Sequence, residues 1–187
     1  MEGRIYQVMA NRVLLEGQFR QHGYEDFKWL DPKDIKVSQW VRMKCMYGCS
    51  GYGSNASCPP NVPSIPECRH FFSEYSTAVM FHFAKKAEQP EERHAWTREV
   101  NEGLLELERT VFLSGYERVF LLFMDSCNLC EECPGEREDC KNPHQARPTP
   151  EAMGVDLFST VRHYGDPIEV LSDYTKAMNR YAFLMIE

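Results

Sequence analysis

Apolar residues recur at the spacing of a helix face in some parts of this chain and run almost continuously in others. The helical spacing predicts helices over residues 4–21, 66–75, 89–114 and 149–165. In the longest of these, Trp96, Val100 and Leu104 share one face, and Gly115 marks the end. The apolar runs predict strands over residues 76–84, 118–125, 168–171 and 181–186, and residues 40–43 are expected to be extended.

The order of these elements predicts the fold. Residues 118–125 are typical of a strand that is covered on both faces, because most of its side chains are apolar. The helix over 89–114 has a short connection at each end, so the strands before and after it are expected to be parallel. We therefore expect an α/β fold, with helices on a small, mostly parallel sheet, and a single domain over residues 1–187.

A short loop after the strand over 118–125 carries a dense group of cysteines. Cys127, Cys130 and Cys133 are spaced as Cys-x-x-Cys-x-x-Cys, and Cys140 follows them. This spacing lets three thiolates point at one [4Fe–4S] cluster, and Cys140 is expected to be its fourth ligand. Zinc is the alternative, although zinc ribbons use two separated cysteine pairs and do not need the third cysteine of this run.

Another cysteine group lies earlier in the chain, in a loop rich in glycine and proline. Cys45, Cys49 and Cys58 match no zinc-finger spacing, and Pro59 follows Cys58 as a proline follows the last cysteine of a ferredoxin motif. Residues 51–56 formally match a dinucleotide fingerprint, but no strand precedes them and the prolines after them block a helix. We predict a second [4Fe–4S] cluster here, with free thiols or another metal as the alternatives.

Cys68 lies on a short predicted helix and has two interpretations. It is either the fourth ligand of the Cys45 group or a small apolar residue in the core beside Phe72. In the second case, one iron of that cluster is open to a non-cysteine ligand or to a substrate. The predicted sheet brings Cys58, Cys68 and Cys127 to one edge, where two neighbouring clusters can exchange electrons.

Composition and charge narrow the class of protein. The net charge of −7 disfavours a nucleic-acid partner, since that affinity comes from Lys and Arg. No apolar run approaches the length of about 18 residues that a membrane span needs, and the N-terminus lacks the pattern of a signal peptide. We therefore expect a cytoplasmic protein. Its 8 cysteines are then better explained as metal ligands than as disulfides, because the cytosol is reducing.

The two cysteine loops differ in charge. Between Lys44 and Glu67 the first loop has no acidic residue, whereas the second contains Glu131, Glu132, Glu136, Glu138 and Asp139. Since nearby negative charge disfavours adding an electron, the Cys127 cluster is expected to have the lower reduction potential. Asp125, just before this loop, is either an acid or base for a reaction or the cap of a turn.

Three blocks of sequence carry a resemblance to a known family. They run from Val41-Arg42-Met43-Lys44-Cys45 to Cys58-Pro59-Pro60-Asn61-Val62-Pro63, over Cys127-Asn128-Leu129-Cys130-Glu131-Glu132-Cys133, and from Cys140 through Ala146-Arg147-Pro148 to Glu151-Ala152-Met153-Gly154-Val155-Asp156. In these blocks the chain resembles the predicted metal-binding proteins of the domain of unknown function 2284. The resemblance implies metal-site roles for Cys45, Cys49, Cys58, Cys127, Cys130, Cys133 and Cys140. Cys68 lies outside the blocks.

The sequence thus predicts an iron–sulfur protein with two [4Fe–4S] clusters, working where oxygen does not destroy them and passing electrons to or from a redox partner protein. A first alternative is an enzyme in which the cluster on Cys45, Cys49 and Cys58 binds substrate at an open iron. A second is an interaction module stabilised by zinc. The reaction, the identity of the partner and the oligomeric state are not encoded in any pattern that we recognise.

Overall fold

The computed structural model describes residues 2–86, 90–172 and 176–187. Its helices are α1 (Glu2–Gln21), α2 (Gln39–Gly48), α3 (Ile65–Ser73), α4 (Pro90–Leu113) and α5 (Leu157–His163), with a short 3-10 helix at Pro32–Asp34. The strands are β1 (Phe27–Leu30), β2 (Ala78–Lys85), β3 (Phe120–Leu122) and β4 (Met178–Met185). Gln89, the predicted first residue of the long helix, lies outside the described residues.

The strands form one sheet in the order β1-β2-β4-β3, and every neighbouring pair is antiparallel. The prediction of a mostly parallel sheet is therefore wrong. Since β2 and β3 are both antiparallel to β4, they do point in the same direction, as the connection through α4 suggested. They are not neighbours, however, because β4 lies between them and pairs with both.

The sheet is covered on both faces, which explains the nearly continuous apolar runs in the sequence. Alternate residues of β4 enter two separate cores: Tyr181 and Phe183 lie in one, and Ala182 and Leu184 in the other. The first core is closed by α3 and α5 through Cys68, Phe72, Leu157 and Val161. The second core is closed by α1 and α4 through Leu15, Phe19, Leu104, Leu107 and Val111. The cysteine loops lie where these layers end.

β3 is much shorter than the predicted strand over residues 118–125. The backbone N–H of Phe123 donates to the Pro148 carbonyl at 2.9 Å, so its partner is a loop. The N–H of Met124 donates to the Asn101 side chain on α4 at 3.1 Å. Phe123 and Met124 remain buried although the strand pairing of β3 ends before them. This is why the sequence resembles a longer strand.

Three other predictions are wrong. Residues 40–43 are helical within α2, not extended, and residues 168–171 do not form a strand. The predicted helix over 149–165 forms only in its second half, because residues 150–154 are turns and Gly154 has a φ of 80°, which is unsuited to a right-handed helix. α5 begins only after Asp156, whose side chain caps it by accepting from the N–H of Ser159 at 3.0 Å.

None of the described helices combines the length and the apolar character that crossing a bilayer requires.

Candidate metal centre

The second cysteine loop surrounds one small cavity. Its lining includes all of the loop's cysteines, Cys127, Cys130, Cys133 and Cys140, together with Asn55, Ala56 and Ser57 from the first loop. Within the described residues, no three His, Cys, Asp or Glu side chains converge closely enough to hold a single metal ion. The sulfurs lie around the cavity wall, and the first loop closes one side of it.

Hydrogen-bond donors point at the sulfurs of this cavity. The backbone N–H of Ala56 donates to Cys133 Sγ at 3.3 Å, and Asn142 Nδ2 donates to Cys130 Sγ at 3.1 Å. Burial raises the pKa of the Cys127 thiol, while a hydrogen bond from the Ser57 side chain opposes that rise. Donors of this kind stabilise a thiolate, which is the form that binds metals. The donor set therefore fits a thiolate-bound metal or cluster.

The two cysteine loops are bound directly to each other. Asn55 Nδ2 donates to the Cys127 carbonyl at 2.7 Å, and Asn61 Nδ2 donates to the Gly135 carbonyl at 2.7 Å. Gly135 has a φ of 92°, and a Cβ at this position would lie 3.3 Å from the Gly53 carbonyl oxygen. Only glycine allows the two backbones to approach in this way. The predicted meeting is thus observed for the loop around Cys58, although the predicted sheet was wrong and Cys68 lies in the core instead.

The first cysteine group spans the end of α2 and the loop that follows. Cys45 lies on α2, Cys49 caps the end of this helix, and Cys58 lies in the loop. Burial raises the pKa of Cys58 to about 12, and the charges of Cys45, Cys49 and Cys127 add to the rise. Burial and the neighbouring Cys49 likewise raise the pKa of Cys45. Ionised thiols repel one another, and a cation bound among them would remove that repulsion.

Glu151 is a member of this neighbourhood that sequence reasoning missed. Its Oε2 atom is buried and has no hydrogen-bond partner among the described residues. Burial raises the pKa of the carboxyl, and the nearby Asp125 adds to that effect. Its charge in turn contributes to the raised pKa of Cys45 and Cys58. The only sequence signal was its place in the third block of the family resemblance.

The family model of the predicted metal-binding proteins of the domain of unknown function 2284 matches residues 28–186. The chain belongs to this family. The matched region contains all 8 cysteines and also Glu151, so every candidate ligand lies within the part that defines the family. Family membership supports a metal cofactor and leaves the nature of the metal centre open. No curated protein and no solved structure shows significant similarity to the chain.

Cys68 lies in the core and not in a cysteine loop of this metal-binding protein. It is fully buried in the core formed by α3 and α5, where its sulfur contacts the Pro63 carbonyl at 3.4 Å and the Met153 sulfur at 3.9 Å. Burial raises the pKa of this thiol, and Arg42 opposes the rise. This environment favours the interpretation of Cys68 as a core residue over its interpretation as a ligand.

Asp125 is held by two arginines that sequence reasoning did not associate with it. Arg93 forms a bidentate ion pair with its carboxylate, and Arg180 Nε donates to Oδ1 at 3.0 Å. Burial favours the neutral acid, but these guanidinium groups outweigh it and lower the pKa of Asp125. The residue has a φ of 66°, a conformation that Asp and Asn tolerate better than most residues. Asp125 is thus a charged anchor at the entry to the cysteine loop.

Proposed function

We propose that this protein holds two [4Fe–4S] clusters and transfers single electrons to or from a redox partner protein. The ligands of one cluster are Cys127, Cys130, Cys133 and Cys140. The other is held by Cys45, Cys49 and Cys58. The protein works in the cytoplasm under conditions in which oxygen does not destroy such clusters.

The direct hydrogen bonding between the two cysteine loops is the observation that supports this function most. Asn55 and Asn61 tie the loop around Cys58 to the loop around Cys127, and the charge of Cys127 adds to the raised pKa of Cys58. Clusters bound in these loops would supply one-electron transfer. The chain would hold the two loops against each other through these hydrogen bonds and would keep bulk water from part of each site.

The hydrogen bonds to sulfur also support an iron–sulfur cluster. Ala56 and Asn142 donate to thiol groups that line a cavity, and donors of this kind tune cluster potentials. Zinc instead draws its donors to about 2.3 Å around one point. A zinc site is therefore the alternative that the metal assays must exclude.

Exposed apolar side chains near Cys49 suit the docking of a protein partner. α2 presents Trp40, Met43, Met46 and Tyr47 to solvent, and Cys49 at its end is also exposed. Electrons need a short path between cofactor and partner, so the partner is proposed to bind at this end of α2. The acidic net charge of −7 favours a basic partner during the encounter.

The core position of Cys68 favours a second candidate function. With Cys68 in the core, the first group offers Cys45, Cys49 and Cys58 to a cluster, and a fourth iron position remains for a different ligand. An exchangeable position of this kind can bind a substrate oxygen as a Lewis acid. The second candidate is therefore an enzyme that uses this cluster.

Anaerobic purification followed by assays of iron, acid-labile sulfide and zinc tests the proposal. Two clusters give about eight irons and about eight sulfides per chain, and a single cluster gives about four of each. Cys130→Ser and Cys49→Ser are each expected to lose about half of the iron, with Cys68→Ala as the matched control. Colourless protein containing only zinc would refute the iron–sulfur function.

A further inference from the structure

The turn that carries Glu151 is fixed on both sides. Within it, the Thr149 hydroxyl accepts the N–H of Ala152 at 3.1 Å, and the N–H of Gly154 donates to the Glu151 carbonyl at 2.9 Å. Outside it, Val155 forms a β-bridge with Val37 in the segment that precedes α2. The position of the Glu151 backbone is therefore determined by contacts at both ends of the turn.

α2 brings the first cysteine of the group to this turn. Arg42 Nη2 donates to the Ala152 carbonyl at 3.0 Å, next to Glu151 in the chain. Cys45 is three residues after Arg42 on α2, so both side chains lie on the same side of the helix. The contact of Arg42 thus brings the turn that carries Glu151 to the side of α2 on which Cys45 lies.

One oxygen of Glu151 lacks a partner in a place where that is costly. Glu151 Oε2 is buried without a hydrogen bond in the described structure. A buried carboxylate oxygen without a partner destabilises a fold, so such atoms usually meet an ion, a water molecule or a ligand. The turn that carries this oxygen meets the side of α2 that holds Cys45, which is itself a ligand candidate.

Two nearby side chains that could also bind a metal already have partners within the protein. Asp125 is bound by Arg93 and Arg180, and Cys68 is packed against Met153 in the core. Glu151 is the carboxylate in this neighbourhood that has a free, buried oxygen.

We infer that Glu151 is the non-cysteine ligand of the site formed by Cys45, Cys49 and Cys58, binding the fourth iron of its cluster through Oε2. This inference rests on the proposed iron–sulfur function. A carboxylate is a harder ligand than a thiolate and suits iron less tightly than sulfur does. The ligated iron is therefore the one that exchanges its ligand or leaves the cluster most easily.

Mössbauer spectroscopy of the ⁵⁷Fe-labelled wild-type protein tests the ligand directly. An oxygen-bound iron has a higher isomer shift than iron bound only by sulfur, and about one iron in eight is expected to show it. The variant Glu151→Gln is expected to lose this component. On mild oxidation it should form the three-iron cluster, seen by electron paramagnetic resonance, several-fold faster than wild type. Glu169→Gln, on an exposed side chain, is the matched control and should behave as wild type.

Two further variants separate a ligand from a structural residue. Glu151→Cys replaces the carboxylate by a thiolate, so it should retain the iron and still lack the oxygen-bound component. The metal-free Glu151→Gln protein should melt no lower than metal-free wild type, because the substitution removes a buried charge. A merely structural role predicts a lower melting temperature in both metal-free and metal-bound protein.

The outcomes are distinct. Wild-type protein with two clusters but without an oxygen-bound iron would overturn the inference and leave the proposed function standing. Loss of the fourth iron in Cys68→Ala, with Glu151→Gln unchanged, would overturn it in favour of Cys68. Wild-type protein without iron and sulfide would remove the proposed function itself.

Discussion

Asn55 donates its side-chain amide to the carbonyl of Cys127 at 2.7 Å and so joins two cysteine loops that lie far apart in the sequence. The same side chain accepts the N–H of Ser57 at 2.9 Å, which holds its own loop in shape. Asn55 therefore connects the geometry of one candidate ligand group to that of the other.

Replacing Asn55 by Ala is expected to loosen this connection. The loss of two hydrogen bonds should lower the free energy of unfolding by about 2 kcal/mol and reduce the iron bound per chain. Chemical denaturation of the metal-free protein and an iron assay of the metal-bound protein measure the two effects. Ser54→Ala is the control, because its exposed hydroxyl bonds only within its own turn. Equal stability of the two variants would contradict the role given to Asn55.

Asn142 should control the reduction potential of the cluster proposed for the second loop. Replacing it by Ala removes the donor to Cys130 Sγ, and hydrogen bonds to sulfur favour the reduced cluster. A bond worth about 1 kcal/mol corresponds to a decrease of about 40 mV for a one-electron couple. Redox titration followed by electron paramagnetic resonance gives both cluster potentials. Of the two measured reduction potentials, the lower one is expected to shift in this variant. A shift in the higher potential would contradict the prediction that the acidic second loop gives its cluster the lower potential.

Asp125 should stabilise the fold above its own titration range. Its pKa is lowered in the folded protein, so the stabilisation is present above the ordinary value of 3.8 and is lost as pH falls through the lower, folded value. Asp125→Asn keeps a residue that tolerates the φ of 66° but leaves Arg93 and Arg180 without their anion. The expected cost is about 2 kcal/mol at pH 7.

Denaturation of metal-free Asp125→Asn and wild type from pH 7 down to about pH 2 gives the comparison. The difference between the two proteins should shrink in the acidic part of this range, where wild-type Asp125 becomes protonated. A difference that persists unchanged at the lowest pH would show that charge is not the reason.

Gly154 should be intolerant of a side chain for two reasons that a control can separate. It has a φ of 80°, and a Cβ at this position would overlap Cδ1 of Ile65. Gly165 has a φ of 77° with nothing close to its would-be Cβ, so Gly165→Ala reports the backbone cost alone, about 1 kcal/mol. Gly154→Ala is expected to cost at least 1 kcal/mol more in chemical denaturation. Equal costs would mean that Ile65 moves away freely.

Cys68→Ala should affect stability and leave the metal content unchanged. The thiol fills a place in the core beside Met153, and deleting it leaves a small cavity that costs about 1 kcal/mol. Iron and sulfide per chain should equal those of wild type. A loss of iron from this variant would instead identify Cys68 as a ligand.

Local sequence patterns predicted an element correctly where the element's own residues were enough to show which of its positions are buried. The periodic positions of Trp96, Val100 and Leu104 predicted α4, and the apolar run before Ile186 predicted β4. The positive φ of Gly115 agrees with its predicted place after the end of α4. The spacing of the cysteines indicated a metal site, and membership of a metal-binding family confirms a metal cofactor at that coarser level.

Sequence alone thus determined which segments are apolar enough to be covered and which cysteines are spaced to share a metal centre. Only the tertiary structure decided that β4 inserts between β2 and β3, that Cys68 belongs to the core, and that Asn55 joins the two cysteine loops. The physical reason is that periodicity reports how deeply a residue is buried. It carries no information about which distant segment provides the covering strand, the opposing charge or the hydrogen-bond donor.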